Sequence, residues 1–274
     1  MGLFDGIKRV FNICGASIVL ELEKEVFCQN DAVTGVVVIS GGENGAAGRE
    51  ITAELQEYWT EMRGGGKSRR AVTVRKPWQR CILSKEFSIE PGSEYSYPIE
   101  LQLPLNCRLS GRNSGWNLIV NMDIPMALDP EHALVLNVVP GKELLAVVEA
   151  VSAKLGFEEK MKISRRWNKV EGSSFFSFIP PDNLKKELDY LDFQISQTAD
   201  GGVFGKVIYN LQEKQVKDYF KALFGADNIV EPFQLGPEEI FLKDASVNFQ
   251  QIVAPIENRI QQIIQERDPY NKMY

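Results

Sequence analysis

The chain has 274 residues, 44% of them hydrophobic and 25% charged, which is the composition of an ordinary globular protein with room for one large domain or two smaller ones. A formal net charge of −6 argues against a nucleic-acid binder, which would carry a basic face. One histidine and four cysteines with no Cys-x-x-Cys pair leave a clustered zinc site without ligands.

Residues 1–15 read as a short amphipathic helix or a capping arm, with Leu3, Phe4, Ile7, Val10 and Phe11 on one helical face. No apolar segment follows Lys8 and Arg9, so no secretory leader is expected. Met1-Gly2 looks like a myristoylation start, but Gly6 stands where Ser or Thr is wanted. The expected compartment is the cytoplasm, and Cys14, Cys28, Cys81 and Cys107 are expected as free thiols.

Strands then follow in quick succession. Ile18, Leu20, Leu22 and Val26 alternate with Glu21, Glu23 and Glu25. Gln29-Asn30-Asp31 turns the chain into Val33–Ile39, and a Gly-rich loop leads to a long alternating strand, Ile51 to Trp59. Lys67, Arg69, Arg70, Arg75, Lys76 and Arg80 form a basic stretch around Val72 and Val74. It reads as a solvated hairpin rather than an anion or membrane-surface site. Further strands are expected at Val72–Val74, Gln79–Ile89 and Tyr95–Leu103.

The run from Trp116 to Pro130 carries the clearest pattern. Trp116, Leu118, Val120, Met122 and Ile124 share one face, with Asn117, Asn121 and Asp123 on the other, and a Pro-containing loop and a second strand, Ala133 to Val139, follow. Pro140-Gly141 breaks the alternation. Leu144, Val148, Val151 and Leu155 then recur at helical spacing, with Gly156 as the stop. Beyond it, strands are expected at Met161–Trp167, Ser173–Ile179, Lys185–Gln197 and Val203–Leu211, and a helix at Glu213–Phe224. Phe249, Ile252, Val253, Ile256, Ile260, Ile263 and Ile264 make an apolar stripe on a last helix that is kinked at Pro255 or begins there. The tail from Asp268 to Tyr274 reads as polar and frayed.

Short alternating strands with regular turns indicate β-sandwiches. The expected fold is mainly β: two sandwich domains, 1–139 and 140–245, with a few short helices, then a C-terminal helix and tail, 246–274.

Catalytic chemistry finds little support. His132 follows a Pro-Glu turn and reads as a solvated loop residue, and no nucleophile elbow or phosphate-binding glycine loop is present. Asp123, Asp129 and Glu131 lie within one strand-end loop, where a glycosidase pair or an oxygen-ligated calcium would want carboxylates. The structural alternative is that Asp129 forms the turn before Pro130 and Asp123 bonds loop amides or an arginine, with Arg108 and Arg112 nearby. Trp59 and Trp116 are in phase with core residues, and Trp78 sits in the basic segment.

The strand closed by Asp-Ile-Pro-Met-Ala-Leu-Asp-Pro at Asp123–Pro130 resembles the sporulation stage zero protein M family. The opening Met-Gly-Leu-Phe-Asp-Gly-Ile-Lys, the Leu-Glu-Lys-Glu of the first strand and the Gln102-Leu103-Pro104 step are similar too, and the likeness runs well to Leu155 and more loosely after it. The resemblance implies arrestin-like sandwiches and a cytoplasmic regulator tied to sporulation or cell-envelope control. It further implies a polar contact between domains, for which Asp123, Asp129 and Arg112 are candidates.

Three functions are weighed: an arrestin-like scaffold, a hydrolase using Asp123 with Asp129 or Glu131, and a lipid- or glycan-binding sandwich. The scaffold is preferred. It needs no cofactor or metal and works through an unidentified protein partner. The terminal stripe reads first as a core helix packed on the second domain; the alternative is a partner-docking or self-associating surface, with Phe249, Ile252, Ile256, Ile260 and Ile263 as a candidate interaction helix. Neither a nucleic-acid nor a membrane-surface partner is expected.

Overall fold

The computed structural model describes residues 8–13, 16–125, 132–160, 172–212 and 228–267. The chain is mainly β, with few helices and sheets in a sandwich-like arrangement, and it divides into two compact units, Met1–Val139 and Pro140–Tyr274.

In the first unit, β1 (Lys8–Ile13), β2 (Ala16–Leu22), β4 (Ala32–Gly41) and β7 (Glu94–Gln102) form one antiparallel sheet in the order β1-β2-β4-β7. The second sheet runs β3-β9-β8-β5-β6, from β3 (Val26–Cys28), β5 (Ala46–Arg63), β6 (Arg70–Ile89), β8 (Ser114–Asp123) and β9 (His132–Val139). Alternation decides which face is buried. Ile18, Leu20 and Leu22 on β2 share a core with Ile51, Ala53 and Leu55 on β5 and with Trp116, Leu118, Val120 and Met122 on β8. Each large side chain taken from water contributes roughly 1.5–3 kcal/mol. The Gln29–Asp31 turn uses Asn30 in the left-handed region, at φ 67°, and Asp31 accepts the Cys28 amide at 2.6 Å.

Of the helix or capping arm expected over residues 1–15, the part from Lys8 to Ile13 is a strand, paired with β2 from Lys8 opposite Glu21 to Ile13 opposite Ala16. A sheet edge offers this segment a full ladder, and that outweighs the local helical pattern. Leu3, Phe4 and Ile7 lie outside the described residues.

β6 replaces two expected strands with one of 20 residues. Pro77 does not break it, because β6 is an outer strand, where a proline is tolerated. The register shifts there, with Leu55 opposite Gln79 and Gln56 opposite Pro77, leaving Trp78 as the extra residue of a bulge. Pro98 on β7 and Pro232 on β14 (Asn228–Leu235) likewise lie on outer strands, and β14 was not expected from the sequence.

In the second unit, β10 (Glu158–Glu159), β11 (Ser174–Ile179), β12 (Leu188–Gln197), β13 (Val203–Leu211) and β14 form one antiparallel sheet among the described residues. Phe178, Phe193 and Phe233 meet edge to face across it, at 5.7 and 5.6 Å between ring centroids. The sheet shares its core with α1 (Lys142–Leu155), α2 (Pro237–Ile240) and α3 (Phe249–Arg267). Gly156 ends α1 at φ 70°, as a glycine in the left-handed cap does. The strand expected at Met161–Trp167, the helix at Glu213–Phe224 and the tail after Arg267 fall outside the described residues.

α3 is not a separate appendage. It begins at Phe249, so Pro255 lies inside it on the exposed face, where the carbonyl freed by the missing donor meets solvent. Ile252, Val253, Ile256, Ile260 and Ile263 are buried in the core with Leu144, Val147 and Val151 of α1, and Phe249 is half-buried under Lys154. The stripe offered above as an interaction face is therefore core, because α1 and the sheet already cover it. Ile256→Ala is expected to lower stability in urea unfolding by about 2–5 kcal/mol. Gln261→Ala, on the exposed side of the same helix, is expected to stay within about 0.5 kcal/mol of the parent.

Candidate functional site

On β5 the inward positions run Ile51, Ala53, Leu55, Glu57, Trp59, so a carboxylate takes a place that the pattern reserves for an aliphatic side chain. Its partner comes from the loop between β7 and β8. Arg108 Nε donates to Glu57 Oε1 at 2.9 Å, and the two side chains are only 10% and 9% exposed. The guanidinium lies 4.5 Å from the centre of the Trp59 ring, a cation–π contact that adds to the pair in a partly dry setting.

The same loop is held from two more sides. Trp116 Nε1 donates to the Arg108 carbonyl at 2.7 Å, and Gln29 Nε2 donates to the Cys107 carbonyl at 2.5 Å. Burial pushes the Cys107 thiol far above its ordinary 9.0, and the negative charge of Glu57 adds to the shift. Trp116 meets Trp78 edge to face at 6.3 Å, and Lys76 caps Trp78 from 5.0 Å. A graded cluster results. Trp116 is fully buried, Glu57 and Arg108 nearly so, Trp78 is about half exposed, and Lys76 lies in solvent.

The basic stretch continues outward from Lys76. Arg69, Arg70 and Arg75 are exposed along the β5–β6 hairpin, and Arg80 pairs with Glu50. Chemically the cluster offers fixed cations and aromatic faces. Its one buried carboxylate is engaged by an arginine, an arrangement suited to recognition rather than to proton transfer.

The residues singled out in the sequence are distributed differently. Asp123 accepts both Arg49 Nε and Arg49 Nη2 at 3.0 Å, at the exposed end of β8 and within the first unit. The arginine it bonds is therefore Arg49, neither Arg108 nor Arg112. Arg112 stands exposed in the turn that enters β8 at its other end. A rise of about 3.3 Å per residue separates it from Asp123 by on the order of 30 Å. Asp129 and Glu131 lie outside the described residues. Among the described residues, no three or more His, Cys, Asp and Glu side chains gather as a metal ion would need, and Cys28, Cys81 and Cys107 are in no disulfide. Cys14 lies outside the described residues. No helix among the described residues is long and apolar enough to cross a membrane.

Sequence reading missed Glu57 as a site residue. The available signal was a charge in phase with four apolar or aromatic positions on one strand face. Glu57→Gln is expected to cost about 3–5 kcal/mol, because Arg108 keeps its charge in a nearly dry place. Replacing both partners, Glu57→Leu with Arg108→Met, is expected to recover most of that loss in urea unfolding. The Cys107 shift makes a separate prediction. A folded value above the unfolded one leaves stability full below about pH 9.0 and erodes it as pH rises beyond that. Iodoacetamide is accordingly expected to label Cys107 only as the protein unfolds, read by peptide mass.

Comparison with known proteins agrees with this architecture. The family model described as SpoOM protein matches residues 5–202. The sporulation-control protein spo0M of Bacillus subtilis (strain 168) is 23% identical over 209 residues, which cover 73% of this chain and 78% of that protein. The crystal structure of Spo0M, a sporulation control protein from Bacillus subtilis, superposes with a TM-score of 0.64 at 18% identity, covering 92% of this chain and all of that one. With the family's pattern carried through most of its length, the chain belongs to the Spo0M family of sporulation-control proteins.

Proposed function

We propose that this chain is a non-enzymatic, arrestin-like scaffold of the cytoplasm that acts by protein–protein contact in control of sporulation or of stress and cell-envelope state. The observation that carries this reading is the division of labour among its charges. Carboxylates that a hydrolase could recruit are tied to arginines: Glu57 to Arg108 inside the sandwich and Asp123 to Arg49 at its surface. Cations without such ties are displayed on an outer strand, at Arg70, Arg75 and Lys76. A rigid sandwich with an exposed charged border is a surface for a partner, and its specificity comes from charge placement rather than from a reaction. The family's role in sporulation control gives the biological setting, and a scaffold is the simplest way for such a surface to serve it.

The test uses the full chain. A photo-crosslinking residue in place of Thr73 should capture a discrete protein from the native organism, and Asp123→Asn should leave the capture unchanged. A panel of nitrophenyl esters and glycosides should show no turnover above buffer. Hydrolysis that disappears in Asp123→Asn would overturn the scaffold reading in favour of an enzyme.

A further inference from the structure

From Arg63 to Lys85 the chain carries eight Lys or Arg and no Asp or Glu, in a protein whose net charge is −6. The fold puts most of this stretch on β6, the outer strand of its sheet. One side of β6 pairs with β5 along its length, from Arg70 opposite Arg63 to Ile89 opposite Ala46, interrupted only at two register shifts. The other side has two halves. Near Gln79 it lies against β7, where the Gln102 amide donates to Gln79 Oε1 at 2.7 Å. Past Pro77 towards the hairpin tip, no strand of the described residues pairs with this outer side of Arg70–Lys76. Alternate N–H and C=O groups there point outward as an open ladder.

Side chains sort themselves by register. Arg70, Val72, Val74 and Lys76 stand opposite Arg63, Glu61, Trp59 and Glu57, so they share one face. Ala71, Thr73 and Arg75, opposite Met62, Thr60 and Tyr58, share the other. Positive charge thus marks both ends of one face and one end of the second, with two valines between the charges. Among the described residues, no carboxylate pairs with Arg69, Arg70 or Arg75.

We infer that the open edge of β6 over Arg70–Lys76 is a docking strand for an extended acidic segment of a partner protein. The inference rests on the scaffold reading above and names the kind of partner. Main-chain hydrogen bonds would hold the added strand, and cross-strand pairs would select it. A matching segment carries acids opposite Arg70, Arg75 and Lys76 and small apolar residues opposite Val72 and Val74. A second copy of this chain is a poor occupant, because its own β6 would set arginine against arginine. An anionic membrane would satisfy the charges and leave the backbone ladder unused.

The probe is a fluorescein-labelled peptide, Glu-Glu-Val-Thr-Val-Thr-Glu, added to the full-length protein. Saturable anisotropy is expected, with slowed hydrogen exchange at amides within 71–76. Binding should weaken about tenfold in Arg70→Glu/Arg75→Glu, two exposed positions whose change leaves the core intact. It should also be lost with a peptide of the same charge that is N-methylated at alternate residues. Equal binding of the N-methylated peptide would reduce the effect to loose electrostatics and overturn the docking strand. So would preferential binding to phosphatidylserine vesicles, or self-association by sedimentation that Arg70→Glu/Arg75→Glu abolishes. Those outcomes leave the turnover panel untouched, and a protein captured at Thr73 without slowed exchange at 71–76 would keep the scaffold reading while overturning the docking strand.

Discussion

A nearly dry ion pair, Glu57 with Arg108, sets the terms for one end of the first unit. Burying either charge alone would cost several kcal/mol, so each makes the other tolerable. Arg108 is thereby drawn in over Trp59, and its carbonyl receives the Trp116 indole. The loop from β7 to β8 consequently has one place to lie. Trp78 and Lys76 pack outward from this anchor, so the start of the exposed basic edge is positioned by the same pair that closes the core. An aliphatic pair could have contributed as much stability. It would not have fixed the direction of the loop, since hydrophobic contact carries no orientation.

The first unit separates its charges: Glu57 and Arg108 are shut inside it, and Arg70, Arg75 and Lys76 stand in solvent. Arg49 with Asp123 illustrates the weaker class: it is solvent-exposed, contributes less than about 1 kcal/mol, and trims a strand end.

Much of the fold was legible in the chain. Period-two runs at Ile18–Leu22 and Trp116–Met122 mark strands because a sandwich buries one face and wets the other. Gly156 marks the end of α1 through its left-handed geometry. Three misreadings share a cause. Lys8–Ile13, the join of β6 through Pro77, and β14 through Pro232 are all edge-strand segments. An edge strand is half-relieved of the rules that exclude proline and polar residues from a ladder. Its identity depends on a neighbour that local sequence does not name. The site was less legible for the same reason: Glu57 and Arg108 are 51 residues apart in sequence, and neither announces the other. Asp123 drew attention by lying in a recognisable motif, although its chemistry is an ordinary surface pair.

Each of the three sheets has a proline on one outermost strand: Pro98 on β7, Pro77 on β6 and Pro232 on β14. The opposite border of the sheet that ends in β6 is β3, three residues long. A sheet can grow into a fibril only by recruiting strands along its borders, and a missing amide or a truncated border interrupts that recruitment. Pro77, Pro98 and Pro232 therefore each mark a point beyond which a chain added along that border loses its ladder.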